Sequence, residues 1–571
     1  MRGRIASQGM ALAEAYPVAE TLVEAAKEKT ADPAGEWARF QAARERCADQ
    51  ITRLMENAEK NEDDDIRDIL DFQYLILEDT EFLDKIEHMI FKDSWNCAYA
   101  VQTVLDIYQK KLQALTDNAY LRERAADVDD LGQRLLCELL GVENAISEPG
   151  GPYIAVAADL SPSRITEMDD KKLVGIVLEK GAMTAHTVII ARSRGIPCLI
   201  GAEGALERIS AGTPALLDGF AGELYLDPDA RQIEGYEAYA AERRAERALL
   251  LEYRHRETRT KDGFGMRVYA NITSYKDVAG LLEQGAEGVG LFRTELLYME
   301  SKDAPPSEET QLTAYRKAAE ALGGRPLVLR TLDVGGDKEL PYLGIPKEDN
   351  PFLGYRAIRY CLDHRELFRT QLSAILRAGA YGNVQLMFPM IAKPEELALA
   401  RAELALVMAD LSARGVPYDR GIRIGMMVET PAAAMDAGRF ADKVDFFSIG
   451  TNDLTQYLFA ADRTNARISH LNSCFQPALL RAVNHLAECA RAAGIEADIC
   501  GQAGEVPELV PLWVCMGINN LSVSTPEITR VRRSICEADR GLCRRLLGRV
   551  LESDTEQAVR QALSQAQEQK S

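Results

Sequence analysis

The chain has 571 residues, 47% hydrophobic and 27% charged, with a net charge of −21. That length exceeds one ordinary core and calls for about three domains. The acidity argues against a nucleic-acid partner, whose phosphates need a basic face, and suits solubility or a basic protein partner.

No stretch approaches the roughly 20 apolar residues that span a bilayer, so no membrane insertion is expected. No apolar run follows Met1–Ala6, so no signal peptide is read there. The eleven cysteines, an odd number without paired C-x-x-C spacing, read as reduced thiols of a cytoplasmic protein.

Residues 1–20 are expected to belong to a small α/β unit that resumes at 144–230. Between them, 21–143 read as almost wholly helical. Leu121, Ala125, Val128, Leu131 and Leu135 recur at helical spacing, and Gly141 supplies a stop. Glu62, Asp63, Asp64 and Asp65 precede an apolar stripe of Ile69, Leu70, Phe72, Tyr74, Leu75 and Leu77, which reads either as a docking face or as a core stripe beside solvated acids. Short β-branched runs at 153–156, 174–177, 197–200 and 214–217 read as strands, with one helix starting near Thr184. Residues 231–260, rich in Ala, Glu and Arg and lacking proline, read as a linker helix.

From 261 to 571 the rhythm is strand then helix. Candidate strands are 268–272, 288–293, 327–333, 384–390, 424–429, 446–450, 497–500 and 520–524, with a helix at 396–411 among the connections. Such alternation predicts a (β/α)8 barrel, with a doubly wound open sheet as the alternative. The fold class expected is therefore multidomain α/β.

Polar or charged residues fall at nearly every candidate strand end: Asn271, Arg293, Arg330 with Asp333, Glu429, Asn452 with Asp453, and Cys500. In a barrel all of these ends face one side, where active sites are built. Arg293, Arg330, Arg356 and Arg463 offer planar forks for phosphate and carboxylate oxygens. Glu429 and Asp453 are hard oxygen ligands of the kind Mg²⁺ takes alongside substrate phosphate. Cys500, before a glycine at a strand end, is placed to give a proton to carbon. Of six histidines, His186 is singled out because the stretch 181–186 (GAMTAH) carries a glycine loop into a helix, whose free N–H groups suit a phosphate, and imidazole is a competent nucleophile.

Several long segments resemble enzyme I of the bacterial phosphoenolpyruvate–sugar phosphotransferase system. They are GLFRTELLYM at 290–299, RTLDVGGDKELP at 330–341, NPFLGYRAIR at 350–359, GMMVETP at 425–431, DFFSIGTNDLTQY at 445–457 with Asp462 and Arg463, and YLRERAAD at 120–127. The resemblance implies a phosphohistidine α/β domain, an inserted helical domain that docks the HPr-type phosphocarrier, and a phosphoenolpyruvate-binding barrel that forms a homodimer.

It also implies roles. Arg293 and Arg330 hold the phosphoryl group, Arg463 clamps the substrate, Arg356 assists and Asn452 contacts the phosphate. Glu429 and Asp453 ligate Mg²⁺, His186 is phosphorylated, and Cys500 protonates the enolate to release pyruvate. The chain departs from the family's usual pattern at Ala182 and Ala185, where Gly and Ser are usual, and at Gln502, where Glu is usual; these changes bear on transfer rate and carrier choice. Two other readings are a phosphoenolpyruvate synthase or pyruvate phosphate dikinase relative, which would require ATP, and an inactive regulatory homologue.

Overall fold

The computed structural model describes residues 1–18, 23–60, 64–113, 124–142, 149–160, 162–169, 171–181, 186–301, 304–335, 340–463, 465 and 467–568. They form two compact units, Met1–Arg244 and Ala245–Ser571.

In the first unit, seven strands make one mixed sheet. They are β1 (Arg4–Ser7), β2 (Met10–Pro17), β3 (Tyr153–Ala157), β4 (Leu173–Leu178), β5 (Cys198–Ile200), β6 (Thr213–Asp218) and β7 (Glu223–Leu226), in the order β1-β5-β4-β3-β2-β6-β7. β2 to β5 are parallel, whereas β1, β6 and β7 pair antiparallel. Strands covered on both faces read as continuous apolar runs. Accordingly Tyr153, Ala155 and Ile176 enter one core, while Ile154, Val156 and Val177 enter another on the opposite face.

Between β2 and β3 lie the helices Pro33–Lys60, Asp64–Glu78, Thr80–Phe91, Cys97–Gln113 and Ala125–Leu140. Their inner side chains, Phe40, Phe82 and Val101 among them, share one apolar cluster with the sheet. Ala125, Val128, Leu131 and Leu135 are buried, and Gly141 ends their helix at φ 66° with its N–H on the Cys137 carbonyl. Leu121 lies outside the described residues, as do Glu62 and Asp63. Ile69, Leu70 and Leu77 are core, so the stripe behind the acids is mainly a packing face, with Leu75 exposed. A short helix, His186–Ser193, begins at His186 and is tied down by Thr187, whose hydroxyl donates to the Leu160 carbonyl at 2.5 Å. Residues 182–185 and the His186 side chain lie outside the described residues.

The long helix Ala230–Tyr253 stops short of the expected residue 260. Arg532 accounts for the stop: its guanidinium donates to the carbonyls of Tyr253, at 3.0 Å, and Arg256. The terminal carbonyls are thereby satisfied without further helix.

The second unit is a closed barrel of eight parallel strands, which excludes the open sheet. They are β8 (Arg267–Ile272), β9 (Val289–Arg293), β10 (Leu327–Arg330), β11 (Val384–Phe388), β12 (Arg423–Val428), β13 (Phe446–Ile449), β14 (Glu496–Ile499) and β15 (Asn520–Val523). Two strands end earlier than their apolar runs. After β10 the Leu332 N–H goes to the Gln371 side chain at 2.9 Å, and after β11 the Met390 N–H goes to Glu429 at 2.7 Å. Side chains thus take over from the ladder where the site begins. The expected helix at 396–411 spans Pro394–Ala413, with Glu396 accepting the N–H groups of Ala392 and Lys393.

Asp498, on β14, is buried in the barrel, and Asn520 donates to it at 2.6 Å. Burial, then the nearby Glu496, pushes its carboxyl up to about 8, against the pull of Asn520, Arg267 and Arg423. An unfolded aspartate titrates near ~3.9. Stability from such a group is full below the unfolded value and is lost as pH rises through the folded one. Asp498→Asn is therefore expected to flatten the decline in Tm between about pH 5 and about pH 8. An unaltered decline in thermal scans would show that Asp498 is ionised throughout.

Candidate active site

The C-terminal strand ends surround a cavity of about 840 Å³ lined by Asn271, Arg293, Arg330, Asp333, Arg356, Glu429, Asn452, Asp453, Arg463, Cys500 and Gln502. The eight candidate residues of the barrel thus border one space. Arg293 is the last residue of β9 and Arg330 the last of β10, while Glu429 and Cys500 directly follow β12 and β14. Asn452 and Asp453 lie in the first turn of the helix Thr451–Leu458, which starts two residues beyond β13.

The charged groups alternate in sign. Arg330 is buried and pairs with Glu295 and, at 3.0 Å, with Asp333. The other Asp333 oxygen accepts from Arg356 Nη2 at 2.8 Å and Nε at 3.2 Å. Arg356 Nη2 also reaches Asp453 at 3.4 Å, and Arg463 Nη1 donates to Asp453 at 2.9 Å. Burial opposes the charge on Arg330, but Glu295, Asp333 and Glu429 outweigh it and hold the proton more tightly than usual. The same balance raises Arg356 through Asp333 and Asp453. Arg293 is exposed at the rim and makes no ion pair among the described residues. The charged oxygens of phosphate and carboxylate are what such forks take.

Glu429 is buried, and its Oε1 accepts the Met390 N–H. Burial, with repulsion from Asp453 and Asp333, pushes its carboxyl up, although Arg330 and Arg356 draw it back. Crowded carboxylates of this kind accommodate a divalent cation. Gly450 supports the fit: a Cβ there would come within 3.0 Å of Glu429 Oε2, so glycine keeps that oxygen clear. Two hard carboxylates suit Mg²⁺ when substrate oxygens supply the rest of the shell.

Cys500 lies over an apolar floor of Leu291, Val328, Met387, Met427 and Phe446. Burial pushes its thiol up to about 11, only partly offset by Ser448 and the arginines 330 and 293, so it carries its proton at neutral pH. Gly501 is needed beside it, since a Cβ would meet Thr451 Oγ1 at 2.1 Å. The Gln502 N–H then reaches Asn452 Oδ1 at 2.9 Å, joining the thiol loop to the asparagine.

Sequence reasoning missed the supports behind this wall. Glu295 stands two residues past Arg293 in the first turn of its helix, where an acid is ordinary. Thr294 donates to the Arg330 carbonyl at 2.9 Å and accepts from Gln371 at 3.1 Å. Tyr457 donates to the Phe352 carbonyl at 2.5 Å and accepts from Arg356 at 3.2 Å. A polar residue at the helical spacing of the buried Phe368, Leu372 and Ile375 was the available signal for Gln371. His186 belongs to the other unit, and its side chain is not described.

Comparison with known proteins gives consistent matches along the chain. The family description "PEP-utilising enzyme, PEP-binding domain" matches residues 247–540, "PEP-utilising enzyme, N-terminal" matches 2–124, and "PEP-utilising enzyme, mobile domain" matches 150–222. The chain is 40% identical over 538 residues to a phosphoenolpyruvate-protein phosphotransferase of Priestia megaterium, covering 94% of this chain and 93% of that one. It is 39% identical over 567 residues to the protein of that name from Bacillus subtilis, covering 98% of each. A solution structure of an Enzyme I protein, nEIt, aligns with 43% of this chain and 99% of its own at 27% identity and a TM-score of 0.40.

Asp333 joins two buried guanidinium groups, and removing one charge from such a set costs about 3 kcal/mol. Asp333→Asn is expected to lower the stability of the barrel by about that amount in urea unfolding. Arg293→Lys, at the exposed rim, is expected to stay within ~0.5 kcal/mol of the parent. Equal stability of all three proteins would show that Asp333 does not hold the arginines in place.

Proposed function

Because this chain belongs to the family of phosphoenolpyruvate-utilising enzymes, we propose the following route for the phosphoryl group. It leaves phosphoenolpyruvate for the imidazole of His186, pyruvate is released, and the group then passes to a histidine of an HPr-type carrier protein, the first step of phosphotransferase-system sugar uptake. The chain is an enzyme, a phosphotransferase that draws on phosphoenolpyruvate. One observation carries the assignment of residues: the four arginines, two carboxylates, Asn452 and the thiol border a single cavity.

Arg293 and Arg330 hold the phosphoryl oxygens, and Arg463 clamps the substrate with help from Arg356. Asn452 meets the phosphate. Phosphoryl transfer depends chiefly on positioning and charge neutralisation, and ion-paired arginines are fixed before the substrate enters. Glu429 and Asp453 would hold Mg²⁺, which when bound neutralises charge on the substrate's oxygens. Cys500, protonated at neutral pH, gives its proton to the methylene carbon of the enolate. The resulting ketone makes the forward step strongly favourable.

Along the chain, residues 1–20 and 144–230 serve as the phosphohistidine domain and 21–143 as the carrier-docking domain. Residues 231–260 link them to the barrel at 261–571, through which the protein forms a homodimer. A cytoplasmic setting fits eleven free cysteines, and no helix among the described residues is long and apolar enough to cross a membrane.

Incubation with ³²P-phosphoenolpyruvate and Mg²⁺ is expected to place an acid-labile phosphate on the protein, absent from His186→Ala. Glu429→Gln should abolish the Mg²⁺ dependence along with the labelling, and Cys500→Ala should slow pyruvate release by roughly 100-fold or more. Labelling that requires ATP instead would assign the chain to the dikinase-like reaction. No label from either donor would mark an inactive homologue.

A further inference from the structure

Ser448 stands in the middle of β13, 1% exposed, with an apolar residue on either side of it in the strand. Its hydroxyl makes no hydrogen bond among the described residues. A buried hydroxyl without a partner destabilises the fold, a penalty that alanine in the same place would not incur. Such a group is explained if its partner exists only in another state of the site.

The neighbour that changes state is Cys500. Its N–H donates to the Ile449 carbonyl at 3.2 Å and its thiol donates to the same oxygen at 3.6 Å, which seats the sulfur beside the exit of β13. Ser448 lies close enough to draw the thiol's pKa down. The apolar floor beneath it, Leu291, Val328, Met387, Met427 and Phe446, has no side-chain donor, while Arg330, Arg293 and Glu429 act on the sulfur through their charge. Ser448 is the side chain that lowers the thiol's pKa through a hydrogen bond, and an anion on that sulfur would draw its hydroxyl closer.

We propose that Ser448 is the positioning residue for proton transfer at Cys500, its hydroxyl donating to the sulfur as the thiolate forms. The inference rests on Cys500 being the proton donor. In the forward direction the P–O bond breaks and the phosphoryl group goes to the imidazole. The enolate's methylene carbon takes the thiol proton as the C–H bond forms. The S–H pair stays on sulfur as a thiolate, which accepts the Ser448 hydrogen bond until a solvent proton restores the thiol. The neutral thiol gains little from the serine, whereas the charged sulfur gains a full hydrogen bond. That is an interaction stronger in the transition state than in the ground state.

Ser448→Ala removes a hydroxyl that bonds nothing, so the barrel should fold. The test compares two half-reactions. Phosphorylation from phosphoenolpyruvate is expected to slow by roughly 100-fold with KM little changed, as when one donor to a developing anion is lost. Incorporation of solvent deuterium into the methyl group of pyruvate should slow in parallel. Transfer from the phosphorylated protein to its carrier, which does not use the sulfur, should keep the parent rate. In a Cys500→Ala background, adding Ser448→Ala should change nothing further. Equal losses in both half-reactions, no loss in the first, or a loss that persists without the sulfur would each overturn the proposal. Parent-like pyruvate release by Cys500→Ala alone would instead overturn the assignment of the sulfur as donor, and the role of Ser448 with it.

Discussion

Asp333 is shared by two buried arginines, and the barrel mouth depends on that sharing. One oxygen takes Arg330 and the other takes Arg356. Glu295 extends the series on one side, Asp453 and Arg463 on the other. Each ion taken from water alone would cost several kcal/mol. Alternating them lets Arg330, Arg356 and Arg463 each meet a carboxylate, so these guanidinium groups are oriented before any substrate is present. Glu429 is the remainder, a carboxyl burdened by its like neighbours and aimed into the same space.

Backbone strain is also present at this place. Met390 adopts φ 54° and Ala357 φ 53°, a region costly to residues with a Cβ. Met390 spends its conformation on an N–H for Glu429, and Ala357 directly follows Arg356. Strain of this kind persists only where surrounding contacts compensate for it. Here the contacts are those of the site itself: the arginine forks, the shared carboxylates and the glycines that let Glu429 and the Cys500 loop pack closely.

Two of the buried polar groups on the barrel strands contrast with one another. Asp498 with Asn520 lies on the inside of β14 and β15, and Ser448 beside the sulfur. Both place a polar group where a hydrocarbon would pack more cheaply. Asp498 answers the cost by keeping its proton, while the serine has no answer in the resting molecule. That contrast separates a polar group stabilised by its surroundings from one that waits for a charge.

Much of the fold could be read from the chain. Eight apolar runs separated by helical stretches are a local pattern, and a parallel barrel puts the residue after each run on a common face. Arg293, Arg330, Glu429, Asp453 and Cys500 were therefore visible as a group before any coordinate. The helices of residues 21–143 were equally readable from periodicity. Their joint core with the sheet was not, because a stripe of apolar residues does not say which surface it meets.

What the amino-acid order determined alone was the inventory of reactive groups and the element to which each belongs, since both follow from neighbours a few residues apart. Tertiary structure decided that the barrel closes, which carboxylate holds which arginine, and which hydroxyl has no partner. Those are relations between distant residues, 35 apart for Arg330 and Glu295 and 97 for Arg356 and Asp453. No periodicity encodes them, because they depend on how whole strands are set beside one another.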